Sequence, residues 1–227
     1  MSETVENKET LERFQNVLGR IASACSTAGR DACAAQLIAV SKTYHGDHIR
    51  PVLTAGHKAF GENRVQEAKE KWPALKAEFD GVKLHLIGPL QTNKVKDALG
   101  LFDVIQTLDR EKLARAFVKA RAQGASLPDF YVQVNTGAEP QKAGQMPEAV
   151  DGFLEMCRED CKLNVVGLMC IPPVGEPASD HFDLLREIAQ RNGLERLSMG
   201  MSGDFETAIA HGATEVRVGS AIFGSRG

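Results

Sequence analysis

Leu37-Ile38-Ala39-Val40-Ser41-Lys42 is an unbroken apolar run closed by a hydroxyl and a cation. A run so short and continuous reads as a strand covered on both faces, the kind that parallel sheets use when helices pack on them. Working outward, further short apolar runs occupy residues 58–61, 83–88, 103–107, 129–135, 163–169, 196–199 and 215–219, which with 37–41 makes eight. Helical periodicity fills intervals at 62–78, 110–123, 147–159 and 180–191. Eight βα repeats in 227 residues predict an α/β protein of one domain, residues 1–227, closed as a (β/α)8 TIM barrel and not spread as an open doubly wound sheet. Ahead of the first strand, Leu11, Phe14, Val17, Leu18 and Ile21 recur at helical spacing and predict an additional N-terminal helix over 9–24 that packs on the barrel. The proline-rich piece 171–177 reads as a loop over the barrel mouth.

Composition narrows the partners. With 43% hydrophobic and 25% charged residues the chain has an ordinary globular balance. Its 27 basic side chains against 30 acidic ones give a net charge of -3, leaving no basic surplus for a phosphate backbone, so no nucleic-acid partner is expected. No stretch approaches the roughly 20 apolar residues of a membrane span, and residues 1–10 lack the apolar core of a leader, so a soluble, cytoplasmic protein is expected. The cysteines, Cys25, Cys33, Cys157, Cys161 and Cys170, are odd in number and follow no disulfide framework. Reduced thiols are expected. Cys157 and Cys161 lie one helical turn apart, but no nearby third ligand completes a metal set, so no metal is expected.

Lys42 is the most informative residue. The period of two puts Ile38, Val40 and Lys42 on one face, with Lys42 at the C-terminal end of the strand. In a barrel that end carries the active site, where a partly desolvated amine can form a Schiff base with an aldehyde. On the strand pattern alone, a surface lysine just past a strand end is the preferred reading. Two anion-type loops shift the balance. Ser198-Met199-Gly200-Met201-Ser202-Gly203-Asp204 follows the seventh strand and enters a helix over 204–211, and Gly219-Ser220-Ala221-Ile222-Phe223-Gly224 follows the eighth. Glycines allow close backbone approach, hydroxyls donate, and the loops after strands seven and eight are the usual phosphate site of this barrel. Arg217 faces the barrel interior with Glu215, while Val216 and Val218 face the helices. Its partner there is either a carboxylate in an internal network or a ligand acceptor. The stretch from Gly88 to Lys94 fails as a nucleotide phosphate loop, because Asn93 and Val95 stand where glycine and a hydroxyl are needed.

These motifs also carry a resemblance. Ala39-Val40-Ser41-Lys42-Thr43, Phe60-Gly61-Glu62-Asn63 with Val65-Gln66-Glu67, His85-Leu86-Ile87-Gly88-Pro89-Leu90-Gln91-Thr92-Asn93-Lys94, Ser198-Met199-Gly200-Met201-Ser202 and Arg217-Val218-Gly219-Ser220-Ala221-Ile222-Phe223-Gly224 resemble the pyridoxal phosphate homeostasis protein family. The resemblance implies one barrel similar to the N-terminal domain of alanine racemase, with pyridoxal 5'-phosphate as cofactor. It implies that Lys42 is the Schiff-base lysine. Ser202, Gly219 and Ser220, with Ser198 and the backbone around Gly200 and Met201, would hold the phosphate. Arg217 would face the pyridine nitrogen, and Asn63 would lie near the cofactor. Asn135, Glu139, Lys142 and Gly144 resemble a family series to which no role is given.

Barrel racemases of this type complete their site with a second, β-rich domain and a tyrosine from a partner subunit, whereas this chain ends at Gly227, just after the barrel. Of its two tyrosines, Tyr44 follows the first strand run closely and Tyr131 lies within the fifth. The expectation is therefore a monomeric protein that holds and buffers pyridoxal phosphate for vitamin B6 homeostasis, with no catalytic residue and little or no turnover. Pyridoxal-phosphate-dependent apoenzymes are its candidate recipients. One alternative is a low-activity amino-acid racemase using the single lysine. Another is a sugar-phosphate barrel enzyme whose Lys42 forms a Schiff base with substrate.

Overall fold

A computed structural model describes residues 2–224 of the chain. Eight parallel strands close into a barrel in chain order: β1 (Gln36–Val40), β2 (Ala59–Glu62), β3 (Lys83–Leu86), β4 (Val104–Leu108), β5 (Asp129–Val134), β6 (Val165–Cys170), β7 (Arg196–Ser198) and β8 (Glu215–Val218). The ring is sealed where β8 pairs with β1, Arg217 lying beside Ile38. The expected single barrel is thus the observed architecture. Around it run α2 (Gly46–Thr54), α3 (Val65–Glu78), α4 (Val95–Leu99), α5 (Glu111–Ala122), α6 (Val150–Glu155), α7 (Ala178–Arg191), α8 (Phe205–Ala210) and α9 (Ser220–Phe223), preceded by α1 (Ser2–Thr27). None of the described helices is long and apolar enough to cross a membrane.

Strand alternation divides the side chains between two environments. Leu37, Ala39, Phe60, Leu84, Ile105, Val132, Leu168, Val216 and Val218 join the apolar core shared with the helices. The residues between them point inward, where a polar network runs beside a small apolar cluster of Val104, Tyr131 and Met169. Gln106 Nε2 lies 3.1 Å from His85 Nδ1 and donates to Glu215 Oε2 at 2.9 Å. Tyr131 donates to the other Glu215 oxygen at 2.6 Å. Ser198 Oγ donates to Gln106 Oε1 at 2.6 Å, and the Arg217 guanidinium donates to Ser198 Oγ at 2.7 Å. Every member of this chain is buried, and each is satisfied by the next, which is the condition under which a buried polar network rigidifies a core. Burial pulls His85 down to about 4, so its ring is neutral and Nδ1 can accept from the Gln106 amide.

Two sequence expectations are corrected here. The N-terminal helix buries Phe14, Val17, Ile21 and Cys25, but Leu18 is 39% exposed. It sits about 100° round the helix from Val17, just outside the face that meets α2, α8 and α9. The stretch 147–159 is not one α-helix. It comprises a 3-10 turn (Pro147–Ala149), α6 and a π-helical segment (Met156–Asp160). The Cys161 amide reaches back five residues to the Met156 carbonyl at 3.0 Å, and this wider turn brings both Cys157 and Cys161 into the core.

Candidate functional site

A cavity of about 360 Å3 opens at the C-terminal mouth of the barrel, beside the ends of β1, β2, β7 and β8. Lys42 lines it, two residues beyond the end of β1. The ladder continues for one more residue, since the Ser41 amide donates to the Gly61 carbonyl at 3.0 Å. The chain then turns sharply, with Tyr44 N–H bonded to the Ser41 carbonyl and Thr43 at φ +70°. Asn63 reaches the cavity from the end of β2. Its backbone is packed so closely on Gly88 that a Cβ there would lie 2.2 Å from the Asn63 carbonyl oxygen, so only glycine permits the approach.

The loops after β7 and β8 form the facing wall. Met201, Ser202 and Gly203 line the cavity from the first, and Gly219 and Ser220 from the second. The two loops are tied together by the Gly219 amide, which donates to Ser202 Oγ at 3.4 Å. Gly200 stands behind the wall at φ +90°, where a Cβ would come within 2.5 Å of Ala208 Cβ. It is required by packing on α8 and does not line the cavity. The Met201 amide is occupied by Asp204 Oδ1 at 2.6 Å, which leaves its side chain, 38% exposed, as its contribution to the rim.

Ser198 is a correction. It was expected among the anion donors, but it is fully buried and off the cavity wall, bonded to Gln106 and Arg217. Its period-two position in β7 turns it into the barrel, below the loop that follows. Arg217 does reach the cavity. Its two terminal nitrogens donate to Ser198 Oγ and to the Cys170 carbonyl, both at 2.7 Å, so the carboxylate partner considered from sequence is replaced by a hydroxyl and a backbone oxygen. Burial lowers its pKa, with Cys170, Glu215 and Asp204 opposing the shift. A guanidinium retains its charge under such conditions. Burial likewise pushes the neighbouring Cys170 thiol up to about 12, leaving it protonated and inert as a nucleophile.

Several further residues complete the wall. Ile87 and Ile171 follow the ends of β3 and β6 and could have been found by the strand-end rule. Thr43 and Tyr44 could have been reached from Lys42, and Gly224, the last residue of the loop after β8, is held beside them by Tyr44 OH, which donates to its carbonyl at 2.6 Å. Tyr131 is sealed inside the barrel against Glu215. Asn135, Glu139 and Lys142 form a separate knot on the loop after β5, where Asn135 Nδ2 donates to the Glu139 carbonyl at 2.8 Å and Glu139 pairs with Lys142. Among the described residues no group of three or more His, Cys, Asp or Glu side chains is arranged to hold a metal ion.

The family description of the alanine racemase N-terminal domain matches residues 7–227 of this closed parallel barrel chain. A pyridoxal phosphate homeostasis protein of Aquifex aeolicus is 43% identical over 224 residues, covering 95% of this chain and 97% of the relative. The chain belongs to the alanine racemase N-terminal domain family and, within it, to the pyridoxal phosphate homeostasis proteins. Among solved structures, a protein of unknown function from Bifidobacterium adolescentis superposes with a TM-score of 0.91 at 31% identity, covering 96% of each chain. PipY of Synechococcus elongatus, solved with pyridoxal phosphate bound, gives 0.77 at 34% identity, covering 90% of this chain and all of PipY.

Proposed function

We propose that this protein binds pyridoxal 5'-phosphate in the cavity at the barrel mouth, holds it on Lys42 as a Schiff base and buffers its supply in the cell, with little or no turnover of amino acids. The observation that carries this reading is that Lys42 shares one cavity with Ser202, Gly219 and Ser220. The donor set suits the ligand: an amine for its aldehyde, hydroxyls and loop backbone for its phosphate, and apolar walls from Val40 and Ile87 for its ring. The names of the curated relatives and the ligand bound by PipY support the same reading.

When bound, pyridoxal phosphate supplies an electrophilic aldehyde and a ring that can withdraw electrons. Arg217, a charged group that only donates, would meet the ring nitrogen as an acceptor and keep it unprotonated, which weakens the ring as an electron sink. Inversion at a carbon needs an acid and a base on opposite faces. Tyr131 is buried against Glu215, and the Tyr44 hydroxyl is committed to the Gly224 carbonyl, so neither tyrosine is poised beside Lys42 as its counterpart.

The test is an absorption spectrum of the full-length protein with pyridoxal phosphate, before and after borohydride reduction, followed by peptide mapping. The label is expected on the peptide containing Lys42, and Lys42→Ala removes the visible band. A label on Lys94 or Lys142 instead refutes the assignment. Chiral chromatography after incubation with alanine tests the second half: racemisation at ordinary enzyme rates, lost in Lys42→Ala, establishes a racemase.

A further inference from the structure

Behind the turn that carries Lys42 lies a buried ionic cluster that never reaches the cavity wall. Lys71, on α3, is enclosed to the point that its side chain is 10% exposed. Its ammonium lies 2.8 Å from the Ser41 carbonyl and 2.9 Å from the Tyr44 carbonyl, the two ends of the turn that contains Lys42 and Thr43. The same ammonium lies 3.0 Å from Glu67 Oε1 and 2.9 Å from Glu62 Oε1. Each carboxylate holds the turn or its start independently. Glu67 accepts the Thr43 amide, and Glu62 Oε1 accepts Ser41 Oγ at 2.6 Å and Trp72 Nε1 at 3.0 Å.

The turn needs holding. Thr43 has φ +70°, a left-handed conformation that a β-branched residue resists, and it follows directly on the residue whose side chain must enter the cavity. An ammonium has three donors and no acceptor, so it suits a site made wholly of carbonyl and carboxylate oxygens. Methionine could fill the space but could bridge neither end of the turn. The far end of the turn is fixed as well: the Tyr44 ring lies 5.1 Å from the Phe223 ring on α9, the helix that Ser220 begins. Lys71 therefore couples the backbone under Lys42 to α3, and through Tyr44 to one of the two anion loops.

We propose that Lys71, braced by Glu62 and Glu67, is a positioning residue for Lys42: it clamps both ends of the Ser41 to Tyr44 turn and so sets how readily Lys42 bonds to an aldehyde in the cavity. The inference rests on the reading of the cavity as a pyridoxal phosphate site. Its signature is a split between covalent and non-covalent binding. Pyridoxine 5'-phosphate carries an alcohol in place of the aldehyde, so it reports the phosphate and ring contacts without the bond to lysine.

The experiment compares the full-length protein with Lys71→Met. Affinity for pyridoxine 5'-phosphate is measured by calorimetry and affinity for pyridoxal 5'-phosphate by the visible band and borohydride trapping, with circular dichroism confirming the fold. Lys71→Met is expected to bind the alcohol within about threefold of the unaltered protein, while its affinity for the aldehyde falls at least about tenfold, the scale on which a misplaced reacting group is penalised. Hydrogen exchange at the Thr43 and Tyr44 amides should quicken. An unchanged ratio of the two affinities, or equal weakening of both, overturns the inference and leaves Lys71 a structural residue only. If Lys71→Met does not fold, Glu67→Gln carries the same comparison, because it keeps the shape of the side chain while removing the charge that braces Lys71. Failure of the unaltered protein to form a Lys42 adduct refutes the site reading, and the inference with it; an adduct with an unmoved ratio refutes the inference alone.

Discussion

Replacing Ser198 by alanine deletes one oxygen from the middle of the barrel and should destabilise the protein as strongly as a core truncation. That oxygen both donates to Gln106 Oε1 at 2.6 Å and accepts from Arg217 at 2.7 Å. Both partners are buried, Gln106 fully and Arg217 to within 4% of exposure, so water cannot replace the lost group without opening the barrel. An unpaired buried neutral acceptor costs about 1–3 kcal/mol and a charged donor rather more, although Arg217 keeps its bond to the Cys170 carbonyl, so the loss should be about 3 kcal/mol. For a chain of this length that is a fall in Tm of roughly 6–12 °C. Ser202→Ala is the control, directly after Met201, whose amide is already paired, and on the cavity wall. It should leave stability within about 0.5 kcal/mol but weaken pyridoxal phosphate binding about tenfold, one charge-assisted hydrogen bond. Urea unfolding and a visible-band titration of both variants separate the two roles. A Ser198→Ala loss below about 1 kcal/mol, or one no larger than that of Ser202→Ala, refutes the account of Ser198 as a support for Arg217.

The cavity's anion loops predict that unphosphorylated pyridoxal binds at least about a hundredfold more weakly than its phosphate, from two or more charge-assisted hydrogen bonds; equal affinities in a spectroscopic titration would sink that assignment. Burial holds His85 at about 4 against its ordinary 6.5. A histidine depressed in the folded state contributes stability above its unfolded pKa and loses it as the pH falls through the folded one. The gap is worth about 3 kcal/mol between pH 7 and pH 4. Burial raises Glu62 and Glu215, with an opposite dependence: their contribution is present at low pH and lost as the pH rises through their folded values. Because both carboxyls remain in His85→Gln, the difference between that variant and the unaltered protein isolates the histidine. The variant should lose less stability on acidification by urea titration, and parallel curves would count against the neutral, buried assignment.

Fold and faces were legible in the amino-acid order because both are local properties. Eight apolar runs separated by helical patterns can bury themselves only as a helix-covered parallel sheet, and alternation within the last run assigned Val216 and Val218 to the helices and Arg217 to the interior. Lys42 and the loops after β7 and β8 were legible for the same reason, since a strand end and a glycine-hydroxyl turn are written in a few consecutive residues. Spacing alone could not separate Ser198 from Ser202. The two stand four residues apart, and what divides them is that Gln106, 92 residues away, reaches the first and not the second. Nor could it announce that Lys71 clamps a turn 27 to 30 residues before it, or that Tyr44 meets a carbonyl 180 residues further on. Such contacts depend on how the ring closes and which helix packs over which strand, geometry that arises only when the whole chain buries its apolar faces together.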